Sequence, residues 1–290
     1  MTAGAGLRWH HARGVIDCGR GRLVGIVNAN PDSFSDAGAH AGTEAAIAHG
    51  RRLAAEGADV VEVGGESLRF SEHTPVDVEA GRVVPVIRAL AAELDVPVAV
   101  DTFKPEVARA GIAAGASILN DPTGLRDPGM AAVAAEGDVG VVLTHFFGEP
   151  KVRPTSFPDV DVPQAVVAWA HEALARAGAA GIPPERIVVD PGVGLGKSPP
   201  QDLELLRRID EVVAVGRPVF VPISNKKVLG ALTGLLAPDR LPATTAAMTW
   251  CRARGATVFR VHDVGFLRSA MDVADALVTG TPARWHDVPK

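Results

Sequence analysis

Eight short runs of almost unbroken apolar residues punctuate the chain: LVGIVN at 23–28, DVVEVG at 59–64, VPVAVD at 96–101, SILND at 117–121, VGVVLTH at 139–145, RIVVD at 186–190, PVFVPIS at 218–224 and TVFRVHD at 257–263. Strands buried on both faces of a parallel sheet read this way, without a polar residue at every second position. Between the runs lie longer Ala- and Leu-rich segments with charges at helical spacing. TEAAIAHGRRLAAEG (43–57) puts Ala46, Leu53 and Ala54 toward one side and Glu44, His49, Arg51 and Arg52 mostly on the other, with Gly57 placed to close it. Residues 76–94, 104–116, 161–181, 199–213 and 266–280 repeat the pattern. Strand followed by helix, eight times over, predicts an α/β chain folded as a single-domain (β/α)8 TIM barrel over 23–290, with 1–22 as an N-terminal extension. A doubly wound open sheet is the competing topology.

Composition narrows the partners. The chain has 290 residues, of which 47% are hydrophobic, enough for a full core. Its formal charge of −5 comes with no basic tract, so no nucleic-acid partner is expected. The opening MTAGAGLRWHHARG lacks an apolar targeting core, and no uninterrupted apolar stretch of about 18 residues occurs, so neither export nor membrane insertion is expected. Cys18 and Cys251 lie far apart without metal-ligand spacing and read as reduced thiols in the cytoplasm.

The candidate chemistry sits where the apolar runs end. In order they deliver Asn28, Glu66, Asp101, Asn120 with Asp121, His145, Asp190, then Ser224, Asn225 and Lys226, and finally Arg260, His262 and Asp263. One polar strand end is ordinarily a cap or turn former, as Asp121 before Pro122 and Asp127 before Pro128 are expected to be. Polar groups on all eight strands instead mark the mouth of a barrel active site. Asp101, Asn120, Asp190 and Lys226 combine acceptors with an amide and an ammonium, which suits a flat heterocycle rich in amidine and lactam groups. Asn28, Arg69, Arg260 and His262 could hold an anion, helped by the turns Gly64-Gly65 and PGVGLGKS at 191–198. The latter lacks the four residues that a phosphate loop places between its first glycine and Gly-Lys, so no nucleoside triphosphate site is read from it.

Taken in order, the stretches NANPDSFSDAG (28–38), GGESLRF (64–70), VAVDTFKPEVARAG, ILNDPTG, THFFGEP, VDPGVGLGKS, ISNKKVLG and FRVHDV resemble the loop motifs of dihydropteroate synthases, the folate-pathway members of the pterin-binding family. The resemblance implies a small-molecule transferase that joins 6-hydroxymethyl-7,8-dihydropterin diphosphate to p-aminobenzoate and releases pyrophosphate, with Mg2+ on the diphosphate. It implies a pterin site of Asp101, Asn120, Asp190, Lys226 and Arg260. A diphosphate site of Asn28, Arg69, Arg260 and His262 would follow, with Asn28 near the metal. Asp36, Arg69, Asp101 and Lys226 would be catalytic, and Phe34, Leu68, Phe70 and Lys227 would shape the acceptor pocket. A homodimer formed through the last helices is also implied. The segment 241–255 carries the small residues Ala243, Ala246 and Ala247, which would permit close packing on a partner or, equally, on the barrel.

The departures from the family pattern gather on the acceptor side. Leu68 stands for Thr, Phe70 for Pro, Asn225 for Arg and Lys227 for Ser; elsewhere Glu62 stands for Asp and Asn30 for Thr. A paralogue that binds pterin diphosphate but uses a different amine, or that is non-catalytic, is therefore the competing reading.

Overall fold

The computed structural model describes residues 6–29, 39–68, 72–152, 157–285 and 287. Arg8–His11 (β1) and Gly14–Asp17 (β2) form an antiparallel hairpin. The eight expected strands follow as Arg22–Asn28 (β3), Val60–Gly64 (β4), Val98–Asp101 (β5), Ile118–Asp121 (β6), Gly140–Thr144 (β7), Ile187–Asp190 (β8), Phe220–Val221 (β9) and Val258–Val261 (β10). They pair in parallel in the order β8-β7-β6-β5-β4-β3-β10-β9. The ring closes where Val189 bridges Val219 and the Val189 N–H donates to Pro218 O at 2.9 Å. A doubly wound sheet would reverse its strand order at a switch point; this one steps round in sequence and closes as a TIM barrel.

The helices are Ala39–Ala55 (α1), Val76–Glu93 (α2), Pro105–Ala113 (α3), Pro128–Glu136 (α4), Val162–Ala179 (α5), Pro199–Arg207 (α6), Ile209–Val213 (α7), Lys227–Thr233 (α8), Leu241–Ala253 (α9) and Val264–Thr279 (α10). Outward strand residues such as Leu23, Val61, Val100, Leu119 and Val141 join the helices' apolar faces in the main core. Inward residues at the N-terminal ends, among them Val60, Ala99, Ile118, Val142, Val188 and Val258, form a second cluster with Trp9, Ile16 and Cys18. Both faces are thus apolar, which is why the runs show no alternation. Two residues further along each strand the inward face turns polar, at Glu62, Asp101, Asn120, Thr144, Asp190 and Arg260, because successive residues of a strand alternate sides.

The hairpin plugs the apolar end. Trp9 is buried, and its Nε1–H donates to Arg186 O at 3.0 Å. A Cβ on Gly140 would meet His10 O at 2.9 Å, so the plug requires glycine there.

Several expectations change. The run 218–224 yields only the two-residue β9, because Pro218 and Pro222 bracket it without an N–H to donate. The single helix expected over 199–213 breaks at Arg208 (φ −112, ψ 33), whose guanidinium is held by Asp161, Glu204 and Glu211. Asp127 caps α4 by accepting from Gly129 N–H at 2.7 Å. Asp121 caps no helix; it accepts from the N–H groups of Thr123 (2.8 Å) and Leu125 (2.7 Å) and braces the buried turn that precedes α4. Ala243 and Ala247 pack on the barrel core, so the small-residue face of α9 turns mostly inward. Among the described residues no helix is long and apolar enough to cross a membrane.

Candidate active site

The polar ends of the inward faces converge on the floor of a cup at the C-terminal end of the barrel. Register places Asp101 beside Gly64 on one side and Asn120 on the other. Arg260 reaches across from β10: its NH2 group donates to Asp101 Oδ2 at 2.9 Å and its Nε to Glu62 Oε1 at 2.5 Å. Asn120 Nδ2 donates to Glu62 Oε2 at 2.9 Å. Removal from bulk water, reinforced by the Glu62 charge and only partly offset by Arg260, raises the Asp101 pKa to about 8.

Asp190 stands across the floor. Its Oδ1 accepts from Gly192 N–H at 2.7 Å, and burial lifts its pKa to about 6 against the pull of that bond and of the Lys226 and Lys197 charges. Lys226 donates to Val193 O at 2.6 Å from the residue that precedes α8. Gly192 (φ +71) lets the turn pass close to the end of β7, since a Cβ there would fall 1.8 Å from His145 O. Lys197 is buried and turned inward, donating to Gly192 O (2.9 Å) and meeting His145 Nδ1 (2.9 Å), so its ammonium braces the turn. Burial and that ammonium lower the His145 pKa to about 3.

The anion half lies at the rim. Exposed Asn28 ends β3, and His262 follows β10 with its Nδ1 2.9 Å from Ser224 Oγ. Desolvation and the nearby Arg260 and Lys226 charges hold the His262 pKa below its ordinary value. Both residues line a cleft of about 510 Å³ that also receives His49 and Arg52 from α1. Neither α1 residue was singled out for a ligand role, since helical spacing alone reads them as a solvated face.

Behind the cup lies an ion cluster that strand-end logic found only through Glu66. Glu66 accepts from Thr74 N–H at 2.7 Å and pairs with Lys104 and, at 2.9 Å, with Lys151. Lys104 also donates to Glu79 Oε2 and to Thr74 O, each at 2.6 Å, and Thr102 Oγ1 donates to Glu79 Oε1 at 2.8 Å. Burial alone would raise the Glu66 pKa; the bonds from Lys104, Thr74 and Lys151 outweigh it and hold the pKa at about 2. The sequence signal was Lys104, which lies in the VDTFK motif.

The structure therefore brings Asp101, Asn120 and Arg260 into one hydrogen-bonded network, sets Asp190 and Lys226 beside it, and puts Asn28 and His262 on one cleft. Leu68 is half-buried, and its carbonyl accepts from Lys151 N–H at 3.4 Å. Lys227 is exposed at the first turn of α8, and Asn225 adopts φ 58, a left-handed conformation that Asn tolerates better than most residues. Phe34, Asp36, Arg69 and Phe70 lie outside the described residues.

A TIM barrel with carboxylates, an amide and a lysine at the floor and cationic groups at the rim has the donors and acceptors that a flat polar ring with an anionic tail would require. The chain belongs to the pterin binding enzyme family, which matches residues 24–262. It is 45% identical over 270 residues to a probable bifunctional folylpolyglutamate synthase/dihydropteroate synthase of Halobacterium salinarum, an alignment covering 91% of this chain but 32% of that protein. The chain thus spans about a third of the length of that bifunctional relative. To the dihydropteroate synthase of Streptococcus pyogenes it is 40% identical over 250 residues, 85% of this chain and 91% of that one. The solved structure of Xanthomonas albilineans dihydropteroate synthase with 4-aminobenzoic acid superposes with a TM-score of 0.88 at 42% identity, covering 93% of this chain and 98% of that one.

Proposed function

We propose that the protein is a dihydropteroate synthase, joining 6-hydroxymethyl-7,8-dihydropterin diphosphate to p-aminobenzoate with release of pyrophosphate. The observation that carries this reading is the floor itself: Asp101, Asn120 and Asp190 offer acceptors and Lys226 a donor, in a chain similar to synthases over most of its length. The ring would lie on the floor with its N–H groups on the carboxylates and its carbonyl on Lys226. The tail would run up past Arg260 to His262 and Asn28. In the reaction the methylene–oxygen bond breaks, the diphosphate leaves with the electron pair, and the arylamine lone pair closes the new C–N bond before the nitrogen loses a proton. Arg260 stabilises the departing charge, while the floor holds the methylene in line with the amine.

Mg2+ carried in with the diphosphate would neutralise part of its charge. Asn28 offers it one exposed side-chain oxygen, which suits a cation that keeps most of its water; among the described residues no group of three or more His, Cys, Asp or Glu is placed to hold a metal ion. The free, buried Cys18 and Cys251 support a reducing, cytoplasmic setting. An apolar stripe on α10, with Phe266, Val273 and Leu277 exposed, supports a homodimer formed through the last helices. Incubation with the pterin diphosphate, p-aminobenzoate and Mg2+ is expected to release pyrophosphate and dihydropteroate in equal amounts. Absence of both products, where a known synthase turns over, would refute the reading.

A further inference from the structure

Glu62 departs from the family pattern by one methylene, and it has so far been given no part in binding. It is 1% exposed, one inward position below the layer of Asp101 and Asn120. Its two oxygens reach two strands away in both directions, to Asn120 on β6 and to Arg260 on β10.

The consequence falls on Asn120. An asparagine amide has a donor end and an acceptor end, and which end faces a ligand is set by its other bonds. Glu62 Oε2 accepts, so it takes the Nδ2 end, which donates to it at 2.9 Å. The Oδ1 end is buried and has no hydrogen-bond partner. A buried acceptor left unpaired costs free energy that a ligand donor would recover. Because Glu62 lies below, anchoring the amino end there turns the carbonyl end toward the mouth.

We propose that Glu62 is a positioning residue that sets ring specificity: by fixing the Asn120 amide it makes the floor, with Asp101 and Asp190, a row of acceptors that admits a heterocycle edge built of N–H donors and rejects one carrying a carbonyl at the same place. The proposal rests on the pterin reading above and adds what enforces it. It also gives both oxygens of this buried side chain a part, one accepting from Arg260 and the other setting the direction of Asn120.

The test compares two rings by calorimetric titration of the full chain: 6-hydroxymethylpterin, with an amino group at C2, and its 2,4-dioxo counterpart. Wild type is expected to favour the amino ring by about tenfold or more, since a site built around hydrogen bonds discriminates strongly against a partner that cannot make them. In Glu62→Gln the new amide can donate to Asn120 Oδ1 and let the asparagine turn over, so the preference narrows by about fivefold or more; Glu62→Asp, still an acceptor, keeps it within about twofold. An unchanged preference in a folded Glu62→Gln overturns the assignment while leaving the pterin reading intact. Failure of wild type to bind either ring overturns both. Should Glu62→Gln melt before it can be titrated, hydrogen exchange of the Asn120 side-chain amide in wild type decides. Protection in the free protein supports the fixed amide, and exchange at the rate of a free amide overturns it.

Discussion

Asp101 and Asp190 show what one residue's surroundings do to its charge. Both are carboxyls whose folded pKa lies above the unfolded value of about 3.9, so the folded protein retains protons that the unfolded chain has released. Stability from these groups is therefore present at low pH and is lost as pH rises through the folded values, near 6 for Asp190 and near 8 for Asp101. His145 has the opposite sign: its pKa near 3 makes stability fall as pH drops below about 6.5. Between about pH 6.5 and 8 the Asp101 effect leads, and the melting temperature of the ligand-free protein is expected to fall by about 2–4 °C, with Asp101→Asn flattening the decline. A flat wild-type profile from scanning calorimetry over that window would refute this. Such residues were legible because each follows an apolar run at the strand's end. Glu62 was legible only as a departure from a motif: its partner Arg260 lies 198 residues away, and no local pattern announces a contact of that span.

Among the elements, the loops after β4 and β7 are tied together by Lys151. This residue sits at φ 65, gives its N–H to Leu68 O at 3.4 Å and its ammonium to Glu66 at 2.9 Å. A left-handed lysine is costly unless its bonds hold it, so the tie fixes the loop that carries the acceptor-side residues. Lys151→Met keeps the stem and removes the charge; it is expected to cost about 1–3 kcal/mol of stability in urea unfolding, because Glu66 retains Lys104 and is not left unpaired. The same variant is expected to raise KM for the arylamine more than it lowers kcat, and an equal loss for both substrates would argue against the tie's role in the acceptor loop. Elements such as these were partly legible. Pro218 and Pro222 announce the shortness of β9, whereas the break at Arg208 has no glycine or proline to mark it and depends on three carboxylates brought together by tertiary packing.

For the whole molecule, the eightfold alternation of apolar runs and helical segments points to a parallel sheet covered on both faces, and the sequential strand order with the Val189–Val219 closure decides for the barrel over the open sheet. The exposed stripe of α10 extends the argument to assembly. Leu277 is 81% exposed and Val273 61%, an arrangement expected to be covered by a second copy. Light scattering should give twice the 30.1 kDa chain mass, and Val273→Asp with Leu277→Asp should return it to a single chain; a wild-type monomer would refute the dimer. The hairpin at the other end carries a consequence in time. Trp9 closes the barrel by bonding to Arg186, 177 residues later in the chain. A ribosome adding about 5–20 residues per second makes the first of these partners roughly ten to thirty-five seconds before the second. Through that interval the plug exists without the vessel it stops, and Trp9 waits for a partner made 177 residues later.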